Sequence, residues 1–123
     1  MKSRAATTGK TSKAGTPLPG SPARGTKTGR PIMVALDLLG RRSALRVLWE
    51  LRGAALTFRA LQEAAATNPA LLNTRLKELR AAGLIENGAD GYALTRRGQD
   101  LLRALQPLSA WAAKWGAALE AEQ

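Results

Sequence analysis

The sequence predicts a mainly α domain with one small β hairpin, an α+β class, from three observations. Between Pro31 and Ala82 apolar residues recur at helical spacing in runs separated by Gly, Ser, Thr and Asn. From Leu84 to Leu94 the period shortens around Gly88-Ala89-Asp90-Gly91, which reads as a tight turn between two strands. Beyond Thr95, Leu101, Leu105, Leu108, Ala112, Trp115 and Leu119 form a heptad-like seam.

Each element has a local cause. Pro31 suits the first turn of a helix, Val34, Leu36, Leu38 and Leu39 give it an apolar surface, and Gly40 stops it. Ser43 is placed to cap a second helix with Leu45, Val47, Leu48 and Leu51 on its apolar face, ending by Gly53. Ala55-Leu56-Thr57 reads as a short extended segment, and Thr57 caps a third helix from Phe58 to about Ala65. Asn68 followed by Pro69 is a strong start for a fourth helix, residues 69–82. That helix carries Leu72, Leu76 and Leu79 on one stripe and stops at Gly83. Thr95 caps the last helix, and Pro107 should kink or split it. Two short helices joined by a turn and followed by a two-stranded wing describe a winged helix-turn-helix.

Composition divides the 123 residues in two. Residues 1–30 hold seven basic residues (Lys2, Arg4, Lys10, Lys13, Arg24, Lys27, Arg30), no acid, and no large apolar residue besides Met1 and Leu18. So little apolar surface cannot offset ordering entropy, and the stretch reads as a disordered basic tail. Residues 31–123 read as one folded domain ending in a dimerisation helix over about 96–120. The net charge of +10 points to a polyanionic partner. Cys and His are both absent, which removes thiol chemistry, the usual zinc sites and the side chain best suited to proton transfer at neutral pH. No catalytic group, metal or cofactor is therefore expected. No apolar run reaches the roughly 20 residues of a membrane span, so the expectation is a cytoplasmic, nucleoid-associated protein without a membrane partner.

Residues 31–111 resemble the HxlR-type branch of the winged-helix regulators, relatives of the MarR group. The resemblance rests on Ala35-Leu36-Asp37-Leu38-Leu39-Gly40, on Phe58 and Leu61, and on Leu72-x-x-Arg75-Leu76-x-x-Leu79-x-x-x-Gly83-Leu84-Ile85. Tyr92-x-Leu94-Thr95-x-x-Gly98 and Trp111 complete it. It implies a sequence-specific DNA-binding regulator, usually a repressor. Where the family often has a Cys before the proline, used in some members to sense oxidants, this chain has Arg30. Direct thiol sensing is thereby excluded. The wing is short and carries no Lys or Arg, which argues against a strong minor-groove contact.

On this reading helix 69–82 is the recognition helix, with Ala70, Asn73, Thr74 and Lys77 presented to base edges and Asn68 near a phosphate. Arg41, Arg42, Arg96 and Arg97 are candidate backbone contacts, with solvated surface charge as the alternative. Arg75, at the edge of the apolar stripe, would hold either a phosphate or an acidic neighbour such as Glu50, Glu78 or Glu86. Leu101, Leu105, Leu108, Trp111, Ala112, Trp115 and Leu119 are the candidate dimer interface, with help from residues 31–39. Double-stranded DNA and a second copy of the chain are the expected partners. A small apolar effector could lodge between the winged domain and the dimer helices, although no residue constellation marks a pocket. The competing readings are a non-specific architectural nucleic-acid binder and a protein-interaction module.

Overall fold

The computed structural model describes residues 16–123. The elements are α1 (Pro31–Leu39), α2 (Ala44–Glu50), α3 (Phe58–Ala65), α4 (Pro69–Ala81), β1 (Ile85–Gly88), β2 (Gly91–Leu94) and α5 (Arg96–Ala121). One core joins them, built on Leu38, Val47, Leu48, Leu51, Leu61, Leu72, Leu76, Leu79, Ile85 and Leu94. The stripe on α4 is thus its core face, and Leu72 and Leu79 are completely buried.

The helix starts follow the local chemistry at three of the expected caps. Thr57 accepts from the Ala60 amide, Asn68 from the Leu71 amide and Thr95 from the Gly98 amide. Each side-chain oxygen satisfies one donor that the first turn leaves unpaired. Ser43 is a correction. It stands at the start of α2 with φ 70°, and its side chain makes no capping bond. The left-handed backbone there is set by tertiary contacts described below.

Gly83 closes α4 in a Schellman arrangement. The Leu84 amide donates to the Leu79 carbonyl and the Gly83 amide to the Arg80 carbonyl, each at 2.9 Å, with Gly83 at φ 78°. The wing follows at once, β1 pairing antiparallel with β2 from Ile85–Leu94 to Gly88–Gly91. Leu56 exchanges both backbone bonds with Tyr92 and adds a one-residue third strand. Thr95 then locks the start of α5 to the end of α4, its hydroxyl donating to the Gly83 carbonyl at 2.6 Å.

Gly98 completes this junction because a side chain has no room there. A Cβ would lie 2.1 Å from the Leu84 carbonyl oxygen, and that oxygen is held by the Thr95 amide at 3.0 Å. Gly98→Ala is expected to cost about 2–3 kcal/mol, within the range for overpacking a tight site. For a domain of this size that lowers the melting temperature by roughly 10–20 °C. Gly116→Ala on the same helix meets nothing within 4 Å and should raise stability slightly. Paired thermal melts followed by circular dichroism check both directions.

The structure bears on two further expectations. Of the kink or split expected at Pro107, the split is absent: α5 runs as one helix of 26 residues, about 39 Å at the usual rise. The carbonyl that Pro107 leaves without a donor belongs to Arg103, and exposed residues around it give water access to that group. The second concerns residues 16–30, expected as part of a disordered tail, which make contacts both among themselves and with the domain. The Gly20 amide donates to the Gly29 carbonyl, Ala23 pairs with Thr26, and the Arg24 amide reaches the Asp37 carboxylate. Pro17, Leu18 and Pro19 lie over an apolar depression lined by Val34, Leu38, Leu84 and Leu101. The rest of the expected tail, residues 1–15, lies outside the described residues.

Candidate nucleic-acid interface

α4 is amphipathic in a way that separates its charges. Ala70, Asn73, Thr74, Lys77 and Arg80 are exposed, whereas its one carboxylate, Glu78, is buried. The outer face therefore carries no acid and two cations. Among the described residues, the side chains of Asn73, Lys77 and Arg80 make no hydrogen bond, which leaves their donors available. Thr74 donates to the Ala70 carbonyl at 3.1 Å and keeps its oxygen lone pairs for an outside donor. Asn68 uses its Oδ1 in the cap at 2.8 Å and keeps its amide hydrogens.

Arg80 was not singled out by sequence reasoning, although the signal was present. It lies seven positions after Asn73 and three after Lys77, on the same exposed stripe. With Lys77 and Ala81 it forms one wall of an open groove of about 530 Å³, whose other wall is Ile85, Glu86 and Asn87 of β1. The wing closes in a two-residue tip, Ala89-Asp90, and bears Glu86 and Asp90 without a cation. Its charge opposes insertion beside phosphates.

The expected backbone contacts divide into two groups. Arg42, Arg96 and Arg97 are exposed, and Arg97 lies over Gly83 beside the carboxyl end of α4. Arg41 and Arg75 differ, because their guanidinium groups already have partners within the chain, for Arg75 the acidic neighbour that was one of its two expected roles. Arg41 donates to Glu78 Oε2 at 2.6 Å, and Arg75 to Glu78 Oε1 at 2.8 Å and to the Arg42 carbonyl at 2.7 Å. The Arg75 side chain is only 14% exposed. A phosphate would have to displace a buried carboxylate to reach it. Of the acidic neighbours considered for Arg75, Glu78 is the partner, whereas Glu50 pairs with Arg46.

The seam on α5 also divides. Leu101 and Leu102, partly buried, pack against the domain's own core. Leu105 is half-buried in a cleft of about 280 Å³ between α2 and α5, with Leu45, Trp49, Leu108 and Ala112. Further along, Leu108, Trp111, Trp115 and Leu119 are 52%, 56%, 54% and 45% exposed. The two Trp rings stack with centroids 5.3 Å apart. Ile32 and Leu36 expose one side of α1.

A helix-turn-helix of α3 and α4 followed by a two-stranded wing defines the winged-helix class of DNA-binding proteins. Residues 38–120 match the family described as HxlR-like helix-turn-helix, and the chain belongs to that family of transcriptional regulators. A relative in Methanocaldococcus jannaschii, the uncharacterised HTH-type transcriptional regulator MJ0925, is 27% identical over 83 residues, covering 63% of this chain and 78% of its own length. Among solved structures, quinone-bound YodB from B. subtilis is similar with a TM-score of 0.63 and 28% identity. That match covers 68% of this chain and 96% of YodB. The protein is thus a DNA-binding regulator of HxlR type, and among its described residues no helix is long and apolar enough to cross a membrane.

Proposed function

We propose that this chain is a homodimeric, sequence-specific repressor that acts in the cytoplasm and reads a palindromic operator with α4. The observation carrying the reading is the separation of charge on α4, with Glu78 turned inward and Asn73, Thr74, Lys77 and Arg80 turned outward. A major groove admits such a helix, Asn can pair with an adenine edge, and Lys or Arg with guanine or phosphate. Arg42, Arg96 and Arg97 supply phosphate contacts that fix register without reading sequence. The exposed apolar stripe of α5, aided by Ile32 and Leu36 on α1, is the dimer surface, since monomers rarely leave so much contiguous apolar area in water. Two-fold symmetry then sets two copies of α4 about 34–36 Å apart, one helical turn of DNA.

An effector is proposed from YodB, whose structure is quinone-bound. This chain has no Cys, so an apolar ring compound would be held without a covalent bond to a thiol. The cleft between α2 and α5, walled by Trp49, Leu102 and Leu105, suits such a guest.

The function is tested by fluorescence anisotropy on the full chain, comparing DNA from upstream of its own gene with a random duplex at low and physiological salt. A preference of roughly 10³-fold or more that survives physiological salt is the expected result for an autoregulator. Equal, salt-sensitive binding to both duplexes favours the architectural reading unless site selection from a random library then recovers an operator elsewhere. Binding to neither favours the interaction module. Deleting residues 1–15, with Lys2, Arg4, Lys10 and Lys13, is expected to weaken binding to every duplex alike. The salt slope should fall by about 0.9 for each phosphate the segment neutralises, as measured in a salt titration.

A further inference from the structure

Glu78 is the centre of a charge network that joins α4 to the loop between α1 and α2. Its side chain is 5% exposed and accepts from Arg41 at 2.6 Å and from Arg75 at 2.8 Å. Arg75 also turns its Nε to the Arg42 carbonyl at 2.7 Å. Arg41 in turn lies 3.9 Å from the buried carboxylate of Asp37 on α1. The loop held in this way contains Ser43 at φ 70°, a left-handed conformation that costs roughly 1–3 kcal/mol in a residue other than Gly and persists only where its surroundings enforce it.

Stability alone does not account for such a network. Burying charges is expensive, and packed apolar residues of similar volume often do as well or better. A network of directional bonds does fix geometry, because a guanidinium satisfies two partners at once only in one orientation. The group it fixes is Arg42. Its carbonyl is held by Arg75, while its own side chain is exposed and makes no hydrogen bond among the described residues.

We infer that Arg75 and Glu78 are positioning residues for DNA binding, holding the exposed Arg42 side chain in register with the outer face of α4. The inference rests on the DNA-binding reading proposed for the chain. Arg75 acts on the phosphate contact through the Arg42 backbone and does not touch DNA itself. Lysine cannot replace it, since one ammonium on a flexible stem cannot reproduce the fork that spans Glu78 and the Arg42 carbonyl.

The test is a double-mutant cycle on the full chain with Arg75→Lys, Arg42→Ala and both together, measuring affinity for one duplex across a salt series. Arg42→Ala should weaken binding by about tenfold and lower the salt slope by about 0.9 for each phosphate that is no longer neutralised. Arg75→Lys should lower the slope by nearly as much although the net charge is unchanged, and the double variant should bind like Arg42→Ala alone. Glu78→Gln, close to isosteric, should follow the same pattern, and thermal melts define the temperature at which every variant is folded. Arg42→Lys should keep the slope and so show that Arg42 itself meets the phosphate. Wild-type binding with additive losses, or a slope that Arg75→Lys leaves untouched, overturns the positioning role alone. A wild-type chain that binds no duplex overturns the DNA-binding reading, and this inference with it.

Discussion

Replacing Trp111 and Trp115 together by glutamate is expected to turn the protein from dimer to monomer without unfolding the winged domain. Both side chains are more than half exposed in the single chain, so the domain core does not depend on them. In a symmetric dimer the double substitution removes four indole rings from the interface and introduces four carboxylates. Anchoring aromatic residues are commonly worth at least about 2 kcal/mol each on truncation. Allowing for non-additivity, the dimer should weaken by at least about 10³-fold. Sedimentation equilibrium at micromolar concentration would show twice the 13.0 kDa chain mass for the wild type and the single mass for the variant. Operator affinity should fall by a comparable factor, since a monomer engages one half-site. A wild type that sediments as a monomer contradicts the proposed assembly.

The second large effect is expected from Asn73→Ala combined with Lys77→Ala. A well-placed bidentate base contact contributes about 1–3 kcal/mol of discrimination, so removal of both side chains should lower operator affinity by about 10²–10³-fold. Affinity for a random duplex should fall only about two- to fivefold, through the charge of Lys77. Neither residue is buried, and the melting temperature should hold. The quantity to measure is the ratio of operator to random-duplex affinity. If that ratio is unchanged, α4 is not the reading element.

How far the sequence carries depends on how local each cause is. Thr57, Asn68 and Thr95 could be read as caps because each bonds to an amide three residues ahead. Gly83 could be read as a stop because the Schellman closure is confined to its own turn. Ser43 could not, since its backbone is held by Arg75, a residue from another helix that bonds the preceding carbonyl. The same distance hid the fate of Arg41 and Arg75, for a basic side chain at an apolar edge fits a phosphate and a buried carboxylate equally well. Composition counts apolar burial and so does not register the backbone bonds that residues 16–30 make. Those bonds lie within the segment, and its ties to the domain include the Arg24 amide on Asp37 and three apolar residues at the depression beside α1.

The seam on α5 was visible as a spacing, but spacing does not say what covers it. Leu101 faces the chain's own core and Trp111 faces solvent, although both fall within one periodic run. Only the packing of α5 against α2 and the wing divides that run.

Base reading by paired copies of α4 is tested most directly by selecting duplexes from a random library with the full-length protein. The enriched sequences would then be probed by methylation interference. The expected result is a palindrome whose half-sites are centred about 10–10.5 base pairs apart, with interference at major-groove purines on one face of the duplex. Enrichment of a single unrepeated site, or no enrichment over the starting library, would contradict base reading by a symmetric pair.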